Sequence, residues 1–430
     1  MGAVASGPER VALSAEDLAI LAKESATVVG HVGKIIVVGS DLSVAELRTS
    51  LQRRIAALPS LTRRLGGSST APAWVPDAGF RLHDHVVDGT RPTPLTSAEI
   101  NQQIAQLFAE RLDRSRPLWR IDVLGPKEDG SRVLVWRVHH ALADGQTAVR
   151  FAAGLLWDVA SGPTPPASVV GRASAIAELH HRGHRRHLAG FIEREFRREG
   201  GDSPFDGQIG AQRSVAFATV ELDPLRRSAR ALAGATVNDA VLACVTGGLR
   251  RWLVAGGNDS LHQLRVKVPV SMHDATDTLG NRDSFFYLGL PLGEPDPALR
   301  LRIIRQESVL RKTEHDAEEM DRALAALSRV SLRLRQVCDR FQMDPREFAL
   351  NVSNVPGPSH PVSVVGQPVL AIHDIADIAE RHALRVAAVS YGQQLNFGLC
   401  ADALLIEDLP GLAEAIEAEA ADLIAMASPA

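Results

Sequence analysis

Two adjacent histidines, His139 and His140, close the apolar run Val133-Leu134-Val135-Trp136-Arg137-Val138, and Asp144-Gly145 follows after a three-residue spacer. Imidazole titrates near neutral pH and is the usual general base, so a histidine where a rigid strand meets a loop suits proton abstraction. Side chains alternate along a strand, which puts Val138 and His140 on one face and Arg137 and His139 on the other. The two rings therefore serve different ends. His140 is the expected base, and His139 is a packed, satisfied ring. Asp144 and Gly145 close a turn before a helix that starts at Gln146. A structural zinc site would need four ligands, and no Cys pair or i,i+4 His pair supplies them here. No GxSxG elbow and no local Cys-His pair offers a nucleophile for an acyl-enzyme.

Holding such a motif requires neighbouring strands and helices that cover them. Extended segments are expected near 74–87, 119–124 and 132–138, with helices over 41–57 and 96–112. After Gly145 an amphipathic helix places Val149, Ala153 and Leu156 on one side. Ser161-Gly162-Pro163-Thr164-Pro165-Pro166 ends any helix or central strand and bounds a first domain at 1–160. Residues 161–212 read as a Pro-rich and basic crossover linker. Within it, 172–200 holds His180-His181-Arg182-Gly183-His184-Arg185-Arg186-His187, a solvated helix face or a contact for anionic head groups or coenzyme A phosphates.

A second domain, 213–430, begins with a strand at 214–222 and a buried helix at 238–252. Strands follow near 264–270, 284–290, 347–352, 384–390 and 394–399, with helices over 298–316, 317–341 and 408–426. Strands and helices mix without strict βαβ alternation, which points to an α/β chain of two α+β sandwich units rather than a doubly wound sheet. No internal repeat is visible.

The chain has 430 residues, 45% hydrophobic and 23% charged, enough for two cores. A net charge of −4 argues against nucleic acid as the main partner. Cys244, Cys338 and Cys400 are odd in number and far apart. With no secretory leader, they indicate a reducing, cytoplasmic setting. No apolar run reaches the length of a membrane helix. Met1-Gly2-Ala3-Val4-Ala5-Ser6 fits a myristoylation pattern but is discounted, because the composition suggests a bacterial source.

HHxxxDG, together with other segments along the chain, resembles the bacterial wax ester synthase/diacylglycerol acyltransferases, and more loosely condensation domains and chloramphenicol acetyltransferase. Leu13-Ser14-Ala15-Glu16-Asp17 with His31-Val32-Gly33 is similar to the family's opening, and Arg116-Pro117-Leu118-Trp119 to its PLW segment. Thr236-Val237-Asn238-Asp239-Ala240-Val241-Leu242, Val268-Pro269-Val270-Ser271, Leu279-Gly280-Asn281-Arg282 and Ser353-Asn354-Val355-Pro356-Gly357-Pro358 match later motifs, and Tyr391-Gly392 and Phe397-Gly398 its closing strands. Four positions depart from the pattern: Ile20, Gly30, Arg120 after PLW, and His273 after VPVS.

The resemblance implies two chloramphenicol-acetyltransferase-like domains with an active-site tunnel between them. It implies an O-acyltransferase that moves a fatty acyl group from acyl-CoA to an alcohol or diacylglycerol hydroxyl. His140 is the base, His139 and Gly145 complete the motif, and no cofactor or metal is required beyond the co-substrate. The matching aspartate in related enzymes is tied to an arginine, so Asp144 is expected to pair with Arg265, or failing that Arg282. Asn354 is the candidate oxyanion or positioning donor, with a purely structural turn as the alternative. Asn238 and Asp239 either contact substrate or cap a helix start. His83 and His85 share a strand face, but His85 matches the family's His-Val and reads as structural. Peripheral contact with an anionic membrane or lipid droplet is expected through the basic linker. Acylation of a specialised metabolite, or a catalytically silent lipid- or acyl-carrier-binding protein, are the rival functions.

Overall fold

Val133 and Val135 are buried on one face of the Arg132–His139 strand, and Leu134, Trp136 and Val138 on the other. A strand covered on both faces must be central to a sheet between two layers. The computed structural model describes residues 10–68, 71–158, 203–258, 260–271, 283–313 and 347–427. The first six-stranded sheet runs in the order Ser363–Val364, Gln367–Ala376, His31–Val38, Arg132–His139, Trp119–Leu124 and Val86–Asp88. The second runs Asp283–Leu290, Leu264–Ser271, Leu350–Pro356, Leu384–Tyr391, Gln394–Asp402 and Arg213–Glu221. Val11–Ala12, Ala71–Pro76 and Arg63–Ser68 form a small third sheet.

One face of the first sheet packs with the Val44–Arg54 and Gly145–Leu155 helices in a core containing Ile36, Leu134, Trp136 and Phe151. Its other face meets the Ser97–Ala109 helix, whose Ile100, Ile104 and Phe108 join a core continuous with the second sheet. That helix is started by a Thr96–Glu99 capping box. The second sheet is backed by helices Leu222–Ala233, Val237–Ala255, Pro297–Thr313 and Leu409–Ala427.

The expected split at 213–430 needs correcting. Residues 363–376 belong to the later half of the chain yet complete the first sheet, with Gln367–Ala376 antiparallel to His31–Val38. Lys34 pairs with Asp374 at 2.8 Å across that junction, with both side chains largely buried. Asn396 of the second sheet donates to the Ile372 carbonyl at 2.9 Å, and the Tyr391 hydroxyl donates to the Val369 carbonyl at 2.9 Å. The two sheets are thus tied to each other by a strand exchange.

Other differences are local. The helix expected over 41–57 is Val44–Arg54, followed by two 3-10 turns. The stretch 74–87 is not continuous strand: Leu82–His85 is one helical turn, so His83 and His85 do not share a strand face. The helix after Gly145 buries Ala148, Phe151, Ala152 and Leu155, whereas Ala153 is exposed. The basic run at 172–200, Cys338, His273 and the helix expected at 317–341 lie outside the described residues. No single described helix is long and apolar enough to cross a membrane.

Candidate active site

The motif begins where the Arg132–His139 strand is pinned on both sides. His139 N–H donates to the Leu118 carbonyl, and His140 N–H to the Gly30 carbonyl, each at 2.9 Å. Leu118 and Trp119 are fully buried, and the Trp119 indole donates to the Leu61 carbonyl at 2.7 Å. The PLW segment therefore works as a buttress for the strand end. Leu142 and Ala143 N–H groups both donate to the His139 carbonyl, which curls the chain into the turn.

His139 and His140 part company as alternation requires. His139 is buried, its Nδ1 accepts from Ala141 N–H at 3.1 Å, and its Nε2 lies 2.6 Å from Glu24 Oε1. An acceptor at Nδ1 leaves the proton on Nε2, where it donates to the carboxylate. Arg114 holds the same carboxylate at 2.8 Å. Burial pushes the Glu24 carboxyl up, but the His139 and Arg114 hydrogen bonds outweigh it and hold it below the usual range. Gly30 has φ +69, and a side chain there would come within 3.0 Å of His139 Nε2. A residue without Cβ suits both demands.

His140 is only half-buried, at the seam between the two sheets. Its imidazolium is nonetheless disfavoured: desolvation first and the Arg385 charge second push the pKa down to about 4, against an opposing pull from Asp144. At neutral pH the ring is an unprotonated base. Arg385 belongs to the Leu384–Tyr391 strand, so the second sheet sets the electrostatics of a residue carried by the first.

Asp144 is fully buried and is the N-cap of the Gly145–Leu155 helix, its Oδ1 accepting from Thr147 N–H at 2.7 Å. It fixes the turn, as the loop-holding role requires. An ideal Cβ on Gly145 would stand 3.0 Å from Val355 Cγ2, so the motif and the Leu350–Pro356 strand meet here. Alternation places Ser353 and Val355 on the side facing Gly145. Asn354 is paired with Ala388 on the opposite, helix-backed face, so the expected donor is turned away from the motif.

Arg265 is also displaced from its expected role. It lies beside Ala349, about six residues along the sheet from Val355 and so roughly 20 Å from the motif. Its ion-pair partner is Glu347 at 3.6 Å, and it stacks over Tyr287. Arg282, the second choice, lies outside the described residues. At the ND segment the cap is Thr236, with Asp239 completing a capping box and pairing with Arg305 at 3.3 Å. Asp239 therefore has a structural task, while Asn238 is half-buried in the first turn. His85 Nδ1 meets the Trp119 carbonyl at 2.8 Å and its ring stacks on Trp119, which makes it a support of PLW. Cys244 and Cys400 are buried free thiols; burial pushes the first far up and the second up to about 12. Neither is a nucleophile.

Several residues of the site carried no local signal. Glu24 finds His139 across 115 positions. Asp377 accepts from Val29 and Gly30 N–H at 2.8 and 3.1 Å and from Arg213 at 2.9 Å, which clamps the segment under His140 to the second sheet. Arg120 pairs with Asp122 at 2.8 Å, and Asp122 also takes the buried Arg137 at 2.9 Å. The departure at position 120 is thus compensated two residues later.

A half-buried histidine at a seam between two sheets, with its loop capped by a buried aspartate, sits in a fold of the two-domain chloramphenicol-acetyltransferase type. Residues 13–189 match the wax ester synthase/diacylglycerol acyltransferase catalytic domain and 279–423 the C-terminal domain of the same family. The chain belongs to that family, and its reaction is acyl transfer to a diacylglycerol or alcohol hydroxyl. It is 29% identical over 383 residues to a probable diacylglycerol O-acyltransferase of Mycobacterium tuberculosis, covering 83% of this chain and 82% of the other. A wax ester synthase/diacylglycerol acyltransferase from Marinobacter aquaeolei VT8 superposes with a TM-score of 0.73 at 23% identity, covering 97% and 99% of the two chains. A starter condensation domain of rhizomide synthetase, solved with C8-CoA, gives 0.62 at 15% identity over 98% and 95%. These two show a shared fold.

Proposed function

We propose that the chain transfers a fatty acyl group directly from acyl-CoA to an acceptor hydroxyl, with His140 as general base. The observation that carries this reading is the place of His140, half-buried at the seam between the sheets with its N–H held by the Gly30 carbonyl, where desolvation and Arg385 disfavour its imidazolium. The ring takes the hydroxyl proton as the oxygen attacks the thioester carbonyl. The tetrahedral intermediate then collapses, the C–S bond breaks, and the imidazolium returns the proton to the departing thiolate. Arg385 disfavours the imidazolium, but the same charge favours negative charge developing on the substrate oxygen or sulfur. Asp144 offsets part of the penalty on the cationic ring. His139, Glu24 and Gly30 position the ring through the backbone. Arg282 is the proposed ion partner of Asp144, and Asn238 a contact for substrate.

Acyl-CoA is the co-substrate in this reading, and no resident cofactor or metal takes part. Binding of C8-CoA by a neighbour of the same fold supports the choice of donor. Contact with an anionic membrane or lipid droplet would run through the basic segment at 172–200, from the cytoplasmic side. The test is an assay of purified protein with acyl-CoAs of several lengths against fatty alcohol, diacylglycerol and sugar acceptors. Ester formation with an alcohol or diacylglycerol is expected; acylation of sugars alone would favour a specialised-metabolite role, and no transfer at all a silent binding protein.

A further inference from the structure

Asp377 follows directly on Gln367–Ala376, the late strand that completes the first sheet, and is buried. Its Oδ2 accepts from Val29 and Gly30 N–H at 2.8 and 3.1 Å, and its own N–H donates to the His31 carbonyl at 2.9 Å. Three consecutive residues are thus tied to one. The Gly30 carbonyl in turn accepts from His140 N–H at 2.9 Å, so Gly30 alone stands between Asp377 and the backbone that carries the base. Gly30 has φ +69, and a glycine visits other conformations as readily. Without an acceptor for its N–H, this hinge has little else to keep its carbonyl aimed at His140.

On its other side Asp377 meets the second sheet twice. Its Oδ1 accepts from Arg213 Nε at 2.9 Å, and its carbonyl accepts from Arg385 Nη1 at 3.1 Å. Arg213, its side chain almost wholly buried, also donates to the Gly210 carbonyl at 2.9 Å and to the Thr27 carbonyl. After desolvation, Arg385 is the charge that opposes the His140 imidazolium; the other titratable groups acting on the ring are Asp144 from the turn and His139 from its own strand. A purely structural ion pair accounts for Arg213. It leaves unexplained why the same residue holds both the hinge under His140 and the guanidinium that acts on its ring.

We propose that Asp377 is a positioning residue for the base: through Gly30 it holds the backbone under His140, and through its carbonyl it places Arg385 beside the ring. This rests on the acyl-transfer reading, but its first readout needs no turnover. Asp377→Ala alone strands the buried Arg213 charge and destabilises the fold whatever its other role. The comparison is therefore between two double variants that both lack the ion pair, Arg213→Met with Asp377→Ala and Arg213→Met with Asp377→Asn. Only asparagine keeps an oxygen for the Val29 and Gly30 N–H groups. NMR of isotope-labelled histidine, with the His140 signal assigned by its absence in His140→Gln, reads the ring at about pH 5.5, between the pKa of about 4 here and the ordinary 6.5. The ring should be neutral in wild type and in the asparagine double variant, and largely protonated in the alanine one. At neutral pH kcat of the alanine double variant should fall about 10–10²-fold with the KM for acyl-CoA kept, and asparagine should recover most of it. A ring still neutral in the alanine double variant would overturn the positioning role, as would an equal change in the asparagine one, which would assign the effect to the ion pair. Wild type without any transfer would sink the acyl-transfer reading, while the ring measurement still decides this one.

Discussion

His139 donates to Glu24 across 115 residues of sequence, and this 2.6 Å contact fixes the direction in which His140 leaves the strand. With Nδ1 taken by Ala141 N–H, the first histidine has both ring nitrogens engaged.

Glu24→Ala should therefore destabilise the fold, by about 1–3 kcal/mol, because it leaves a buried N–H without an acceptor. Urea denaturation of this variant beside His140→Ala reads the difference. The half-buried His140 should cost far less stability when removed. Equal stability of wild type and Glu24→Ala would dissolve the positioning role.

Asp144 separates two kinds of support. As an N-cap, its replacement by alanine should cost about 0.5–2 kcal/mol, which asparagine restores because it caps equally well, while loss of the proposed ion pair with Arg282 is shared by both variants. Thermal melting of both variants decides. A loss that persists in Asp144→Asn is what the ion pair with Arg282 requires; full recovery by asparagine would leave capping as the role of Asp144 and exclude the pair.

The pH dependence follows from His140. Its folded pKa of about 4 lies below the ordinary 6.5, so the base stays neutral well into acid. kcat/KM should hold to about pH 5 and fall as pH drops through about 4, instead of near 6.5. Stability runs with the same sign. His140, His373 and His382 are each pushed down to about 4 by burial first. An unfolded chain binds those protons below pH 6.5 and the native chain does not, so stability declines as pH falls from 6.5 toward 4. Proton uptake on unfolding at pH 5, measured by calorimetry in two buffers, should be close to three from these groups. A value near zero would contradict their burial as neutral rings.

Much of the motif is legible because its signal is local: alternation separates the faces of His139 and His140, and Asp144-Gly145 marks the turn that leads into a helix. What was not legible depends on distant partners. His31–Val38 is a central strand although Gly33 and Lys34 interrupt its apolar run. Phe108 leaves no room for a Cβ at Gly33, and Asp374 neutralises Lys34. Gln367–Ala376 hides its periodicity behind an irregularity between Val369 and Ala371, which leaves Leu370 exposed. The resemblance implies an arginine partner for Asp144 without saying where the strand carries it: residues in a strand lie about 3.3 Å apart, and Arg265 sits about six of them too far along. The face of Asn354 depends on the register of the Leu350–Pro356 strand with Leu384–Tyr391, which a loop motif does not carry.

The basic segment at 182–198 offers a separate check on membrane contact. Each cation near an anionic surface contributes about 1 kcal/mol and is screened by salt. Co-sedimentation with anionic vesicles should be strong at low salt and weak at high salt. Equal binding to neutral vesicles would exclude an electrostatic attachment.

The central claim is that His140, and not His139, moves the proton. Steady-state acyl transfer and acyl-CoA affinity measured on His140→Ala and His139→Ala test it most directly. His140→Ala should lower turnover by about 10²–10⁴-fold with acyl-CoA binding kept, while His139→Ala loses stability and keeps a measurable rate. Near-normal turnover in His140→Ala beside a folded but inactive His139→Ala would contradict the account.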